Sequence, residues 1–185
     1  MVTGGHNGFS ATDKIERYDG NTWKTLENKL TSPRESHCSV AISKTEMIVI
    51  GGFGGTTFLT TVEKYESDGL IIKTLQSMAI YRQNPGCTIY NNKLYVAGGI
   101  GAGGVLTDVE VYNMETDKWK PINKMNNARA MPALFVQNNR LTVLGGNGAV
   151  RSIEYLDENG MWEKSPDPLE KDFEIGVSVE VKCPA

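Results

Sequence analysis

Residues 47–55 read Met47-Ile48-Val49-Ile50-Gly51-Gly52-Phe53-Gly54-Gly55, a short β-prone apolar run that stops on a glycine pair. A run of this length suits a strand covered on both faces and is too short for a helix. The pair recurs at Gly4-Gly5, Gly51-Gly52, Gly98-Gly99 and Gly145-Gly146, each 47 residues beyond the last. Three equal intervals mark a stacked supersecondary unit.

Other residues keep the same phase. Runs like 47–50 precede the later pairs at Leu94-Tyr95-Val96-Ala97 and Leu141-Thr142-Val143-Leu144. A second run follows each pair: Ile15-Glu16-Arg17-Tyr18, Val62-Glu63-Lys64-Tyr65, Val109-Glu110-Val111-Tyr112 and Ile153-Glu154-Tyr155-Leu156. A polar turn then leads to Trp23, Ile72, Trp119 or Trp162. Arg34, Arg82 and Arg129 next precede the apolar runs Cys38–Ile42, Cys87–Tyr90 and Ala133–Val136. Turn residues, among them Asn91-Asn92 and Asn138-Asn139, separate the runs, so each unit holds four short strands. No window shows apolar residues at a 3.6 period. The expectation is an all-β chain.

A four-stranded sheet of this size cannot bury both faces alone and must stack on copies of itself; radial stacking makes a propeller. Tyr18, Tyr65, Tyr112, Trp23, Trp119 and Trp162 are then expected to fill the gaps between sheets. Each glycine pair is expected where a strand ends and the backbone needs positive φ.

Composition narrows the function classes. Of 185 residues 39% are hydrophobic, enough for a core, and Lys+Arg 19 against Asp+Glu 22 leaves a net charge of −3. That balance offers nothing for nucleic acid or an anionic membrane. No apolar stretch approaches the ~18 residues of a membrane span. The first residues carry glycines where a signal peptide would carry a basic start and an apolar run. Three cysteines (Cys38, Cys87 and Cys183) cannot all pair, and a reducing, cytoplasmic setting is expected. With His6 and His37 as the two histidines and no Cys-x-x-Cys, neither a metal nor a cofactor is expected.

The glycine pair, the Glu-x-Tyr strand, the Trp after a polar turn and the Arg together resemble the kelch repeat over almost the whole chain. The resemblance implies a kelch-type β-propeller with four repeats of four-stranded blades, part of a larger ring continuing before Met1. Residues 1–185 form one such domain, with units starting near 1, 34, 82 and 129. A closing first-type strand is expected over 172–182. The pattern lapses at Ile72 and at Leu156, and Asp172 takes the place of a fourth Arg.

Several motifs invite a chemical reading. Gly99-Ile100-Gly101-Ala102-Gly103-Gly104 matches G-x-G-x-x-G, but a strand follows in repeat phase where the dinucleotide fingerprint needs a helix, so a flexible loop is expected. His37 beside Cys38 on a strand points to the opposite face, out of reach as a catalytic base. Cys38 and Cys87 are expected to be packed thiols. The periodic Glu16, Glu63, Glu110 and Glu154 invite pairing with the periodic arginines, which could otherwise crown a channel mouth and hold an acidic segment.

In kelch domains ligands are held just after the glycine pair and just after the repeat Arg. By resemblance those positions are His6, Phe53, Ile100 and Asn147 in the first set. The second set is Glu35 and Ser36, Gln83 and Asn84, Ala130 and Met131, and Phe173 and Glu174. Tyr81-Arg82 is the favoured single anchor, because an aromatic beside an Arg suits an interface hot spot. The resemblance implies a protein-interaction module that binds a peptide or loop, not an enzyme. Its specific form would be the substrate-recognition part of a cullin-type ubiquitin-ligase adaptor, with BTB and BACK segments upstream. The alternatives are an actin-binding cytoskeletal protein and a propeller-scaffold oxidase or sugar mutarotase. An enzyme would need several titratable side chains converging on one cavity.

Overall fold

The computed structural model describes residues 1–174, and among them it holds seventeen strands and no helix. The expected 172–182 strand falls almost wholly outside the described residues, as does Cys183. The chain divides into two compact units, Met1–Gln83 and the part from Asn84 onward.

In the first unit β1 (Val2–Thr3), β2 (Ile15–Tyr18) and β3 (Trp23–Thr25) form one sheet. The next is β4 (Cys38–Ala41), β5 (Glu46–Ile50), β6 (Val62–Glu66) and β7 (Ile71–Leu75). Every strand pairs antiparallel with its neighbour in sequence, so both sheets are meanders. Met47, Ile48, Val49 and Ile50 of β5 are all buried. Each such side chain contributes about 1.5–3 kcal/mol on burial, which is why the run is continuous and not alternating. Ile15, Leu30, Met47, Val49 and Tyr65 form the cluster that joins the two sheets.

In the second unit β8 (Gly86–Tyr90), β9 (Lys93–Ala97), β12 (Val109–Asn113) and β13 (Lys118–Ile122) form one sheet. Another is β14 (Ala133–Gln137), β15 (Arg140–Leu144), β16 (Ile153–Leu156) and β17 (Trp162–Lys164). Asn91-Asn92 and Asn138-Asn139 turn the first hairpin of each sheet with φ near +50° at both residues, a conformation Asn tolerates and a two-residue hairpin demands. Pro121 sits in β13, at a sheet edge, where its missing N–H breaks no ladder. Ala97, Val109, Met125, Leu134, Leu141, Val143 and Trp162 make the core between the sheets.

The segment expected to be a flexible loop is a small hairpin. β10 (Ile100–Gly101) pairs with β11 (Gly104–Val105), and β12 follows in phase. Tyr65, Tyr112 and Trp162 are buried as the repeat requires. Tyr18 and Trp23 are not: they are 50% and 55% exposed, their rings 5.5 Å apart, on a main sheet that has three strands among the described residues. Cys38 in β4 is disulfide-bonded, and so is Cys87 in β8, in place of the packed thiols expected of a reducing compartment.

Candidate functional site

The glycine pairs and the repeat arginines are parts of one device. In each pair the second glycine's N–H donates to a carbonyl contributed by the following loop. Gly5 donates to Arg34 at 2.8 Å, Gly52 to Arg82 at 3.0 Å, Gly99 to Arg129 at 2.8 Å and Gly146 to Phe173 at 2.7 Å. The first glycine must let that carbonyl approach. At Gly98 φ is +64°, and a Cβ there would fall onto the Arg129 carbonyl oxygen.

The arginine side chain then reaches forward to the next pair. Arg34 Nη1 donates to the Gly51 carbonyl at 3.3 Å, and Arg129 Nη1 to the Gly145 carbonyl at 2.8 Å. Arg34 and Arg129 each therefore tie two successive glycine turns together, through the backbone on one side and the guanidinium on the other. The second guanidinium nitrogen meets a carboxylate, Arg34 with Glu63 at 2.9 Å and Arg129 with Glu154 at 2.7 Å. Burial pulls the Arg34 and Arg129 pKa values down from the ordinary value, and the facing carboxylates work against it. Tyr65 Oη donates to Glu63 at 2.7 Å, and burial followed by that bond pushes the phenol up to about 12.

This geometry corrects two expectations. Arg34, Arg82 and Arg129 have no exposed surface, so they do not crown a rim. The expected Arg82 contact is corrected by its burial, which leaves the side chain no surface to offer a partner; Tyr81 beside it is half-buried. In the fourth unit the residue whose carbonyl meets the glycine turn is Phe173, so Phe173 and not Asp172 stands in the Arg phase. Phe173 is 36% exposed and serves the turn; Glu174 is exposed.

The two sets of candidate positions meet in space. Glu35 and Phe53 form an antiparallel bridge with reciprocal bonds of 2.9 and 2.8 Å, and Ala130 and Asn147 repeat it at 3.0 and 2.8 Å. In both of these cases the residue after the Arg pairs with the residue after the next glycine pair. The following residue is left-handed each time: Ser36 at φ 53°, Asn84 at 54° and Met131 at 56°. Asn accepts that conformation readily, whereas Met bears a cost of about 1 kcal/mol. Met131 N–H donates to the Asn84 carbonyl at 2.8 Å, which pins the loop. Ala130 is buried, Gln83, Asn84, Ile100 and Met131 are half-buried, and His6 and Asn147 are exposed.

In the first unit the same loops carry an aromatic row in which Phe58, a residue outside the two expected sets, joins Phe53 and Tyr81. Phe53 bridges Phe58 as well as Glu35. The Phe53 and Phe58 ring centroids lie 5.2 Å apart, and Phe58 stacks on Tyr81 at 5.2 Å with 13° between the planes. Phe9 is 96% exposed at the tip of the preceding glycine loop. Asn7 holds that tip, its Oδ1 accepting from Phe9 N–H at 3.0 Å and Ser10 N–H at 2.9 Å. The available signal was a phenylalanine, Phe9 or Phe58, set in each of two loops made mostly of Gly, Thr, Ser and Asn.

His37 is packed beneath these loops. A Cβ on Gly4 or Gly52 would meet its atoms at 2.9 or 2.8 Å, and Thr3 Oγ1 lies 3.0 Å from Nε2. Burial first, then the Arg34 charge, push its pKa down to about 4. His6 Nε2 lies 4.0 Å from Glu35 Oε2.

Two hollows lie elsewhere. One of about 290 Å³ surrounds the Ser43–Thr45 turn, and one of about 530 Å³ lies among Tyr90, Asn139, Arg140 and Asp157. Both sit at the hairpin ends of the strands, away from the glycine turns. Among the described residues no cluster of three or more His, Cys, Asp or Glu is placed to hold a metal, and no helix is long and apolar enough to cross a membrane.

Comparison with known proteins agrees with this architecture. The family model described as the KLHDC2/KLHL20/DRC7 Kelch-repeats domain matches residues 1–164. No curated protein matches the sequence. Among solved structures the chain is similar to one titled "Structure of YjhT", with a TM-score of 0.72 at 14% identity. The match covers 92% of this chain and 66% of that one, so the chain spans about two thirds of its structural neighbour. On the family match and the fold together, the chain belongs to the kelch-repeat family.

Proposed function

We propose that this chain is a protein-interaction module that binds a segment of a partner through the loops bearing the glycine turns. One observation carries the proposal. Arg34, Glu63, Arg129 and Glu154 are consumed in the fold, while Glu35 and Phe53 beside them are paired in a bridge and remain partly exposed. A rigid frame with exposed aromatic side chains on short, hydrogen-bonded loops suits recognition of another protein, because little ordering cost remains on binding. Phe9, Phe58 and Tyr81 are the anchors this reading favours.

The narrower version, recognition of substrates for a cullin-type ubiquitin ligase, is supported by the resemblance to kelch-like adaptors. A photo-crosslinking amino acid tests the broader proposal. Placed at position 58 it is expected to give discrete protein adducts in cells, and placed at Ile72 on β7 it is expected to give none above background. Equal labelling from both positions would overturn the proposal.

A further inference from the structure

The aromatic row of the first unit ends in a carboxylate, and that pairing carries an inference about the partner. It rests on the reading of this face as a docking surface. Glu35, Phe53 and Phe58 are successive bridge partners, Glu35 to Phe53 and Phe53 to Phe58. Directly bridged residues project to the same side with Cβ atoms about 4.5–5.5 Å apart. The three side chains therefore form one row, a carboxylate followed by two rings, and Tyr81 extends it by stacking on Phe58.

The charges beneath this row leave Glu35 as its anionic end. Arg34, its neighbour in sequence, turns inward to Glu63 and Gly51. His37 is packed under the glycine turns and is held neutral by its buried position. The basic side chain nearest Glu35 is the exposed His6 ring, at 4.0 Å, longer than a good charge-assisted bond.

We propose that the row Glu35–Phe53–Phe58–Tyr81 receives an arginine side chain presented by the partner. A guanidinium is flat, weakly hydrated and rich in donors, so it can lie over a ring while giving two N–H bonds to a carboxylate. An aliphatic side chain here would cover Glu35 without pairing it, which leaves a desolvated charge. An acidic side chain would face Glu35 directly. A lysine would satisfy the carboxylate but would stack less well and lose more hydration.

The test is a random-peptide selection against the full 185-residue chain, followed by titration of the recovered peptides. The expected result is a set of binders that are lost on Phe58→Ala and share an arginine. Replacing that arginine by citrulline, which keeps the shape and removes the charge, should weaken binding about tenfold. Glu35→Gln should weaken the same peptide by a similar factor, and the two changes together should cost little more than either alone. The citrulline arm involves no change to the protein and so is independent of folding. Binders that need Phe58 but lack an arginine, or that tolerate citrulline, would overturn the arginine inference and leave the docking surface standing. Binders indifferent to both Phe58→Ala and Tyr81→Ala, or no binders, would overturn both.

Discussion

Arg129 Nη2 lies 2.7 Å from Glu154 Oε1, and neither side chain has any solvent-exposed surface. The pair is the hub of a larger set of bonds. Glu154 also accepts from Asn126 N–H at 2.6 Å and Asn127 N–H at 3.0 Å, and Arg129 donates to Ser152 and Gly145. A buried pair of this kind gains little over a well-packed apolar pair, because desolvation offsets attraction. Breaking it on one side is different, since it strands the remaining charge. Arg129→Ala is expected to destabilise the second unit by about 3–5 kcal/mol. Urea unfolding followed by tryptophan fluorescence, in a Trp23→Phe background so that the signal comes from Trp119 and Trp162 of the second unit, would measure it, and a loss under about 1 kcal/mol would contradict the clamp.

The same repeat position is not equivalent in every sheet. Glu16 keeps the phase of Glu63 and Glu154 but is exposed and accepts from Thr25 Oγ1 at 3.3 Å. Glu63 and Glu154 are buried on guanidinium groups. Glu16→Gln is therefore expected to change stability by no more than about 0.5 kcal/mol, the ordinary range for a surface site. Glu154→Gln should cost several kcal/mol, because a neutral amide leaves Arg129 uncompensated and turns donors toward Asn126 and Asn127. Denaturation midpoints of the two variants, compared side by side, separate environment from sequence identity.

His37 gives the first unit a pH dependence of definite sign. Its folded pKa is about 4, against an ordinary value of 6.5. Between those values the unfolded chain takes up a proton that the folded chain refuses, so acid favours unfolding. The neutral-histidine contribution is complete above about pH 6.5 and declines as pH falls toward 4, by on the order of 3 kcal/mol. Asp19, drawn down to about 2 chiefly by Lys24, titrates in a separate and more acidic window. Melting temperatures between pH 7 and 4 should fall for the native chain, and His37→Gln should flatten the slope. A native profile flat over that range would refute the assignment.

Much of this was legible because the repeat forces it. Strands β2, β5, β6, β9, β12, β15 and β16 lie where the repeated runs place them, although β2, unlike β5, is largely exposed. The Asn-Asn turns were equally plain. The role of the arginines was not legible, because sequence shows a periodic charge without showing which way it faces; only the glycine carbonyls and Glu63 or Glu154 reveal that it faces inward. The fourth unit was read one residue out of phase, as Asp172, because side-chain type was matched where backbone hydrogen bonding sets the register through Phe173. Tyr18 and Trp23 match the repeat yet lie exposed, since burial depends on what covers a residue as well as on its type. Phe9 and Phe58 escaped notice because they belong to loops, which the repeat does not constrain.

The glycine turns supply the final prediction through two nearby glycines of the second unit. Gly98 has φ +64°, and a Cβ there would strike the Arg129 carbonyl oxygen that accepts from Gly99 N–H. Gly103, at the tip of the β10–β11 hairpin, would meet nothing within 4 Å, and its φ is not in the left-handed region. Gly98→Ala should cost more than about 2 kcal/mol, combining left-handed backbone strain with displacement of the clamp. Gly103→Ala should be neutral or stabilise by about 0.4–1 kcal/mol, because the methyl group has room and the unfolded chain loses freedom. Thermal melts of the two variants would show a large drop for the first and none for the second. Equal and small effects would mean that the glycine pair tolerates a side chain and that the Arg129 carbonyl is not what demands it.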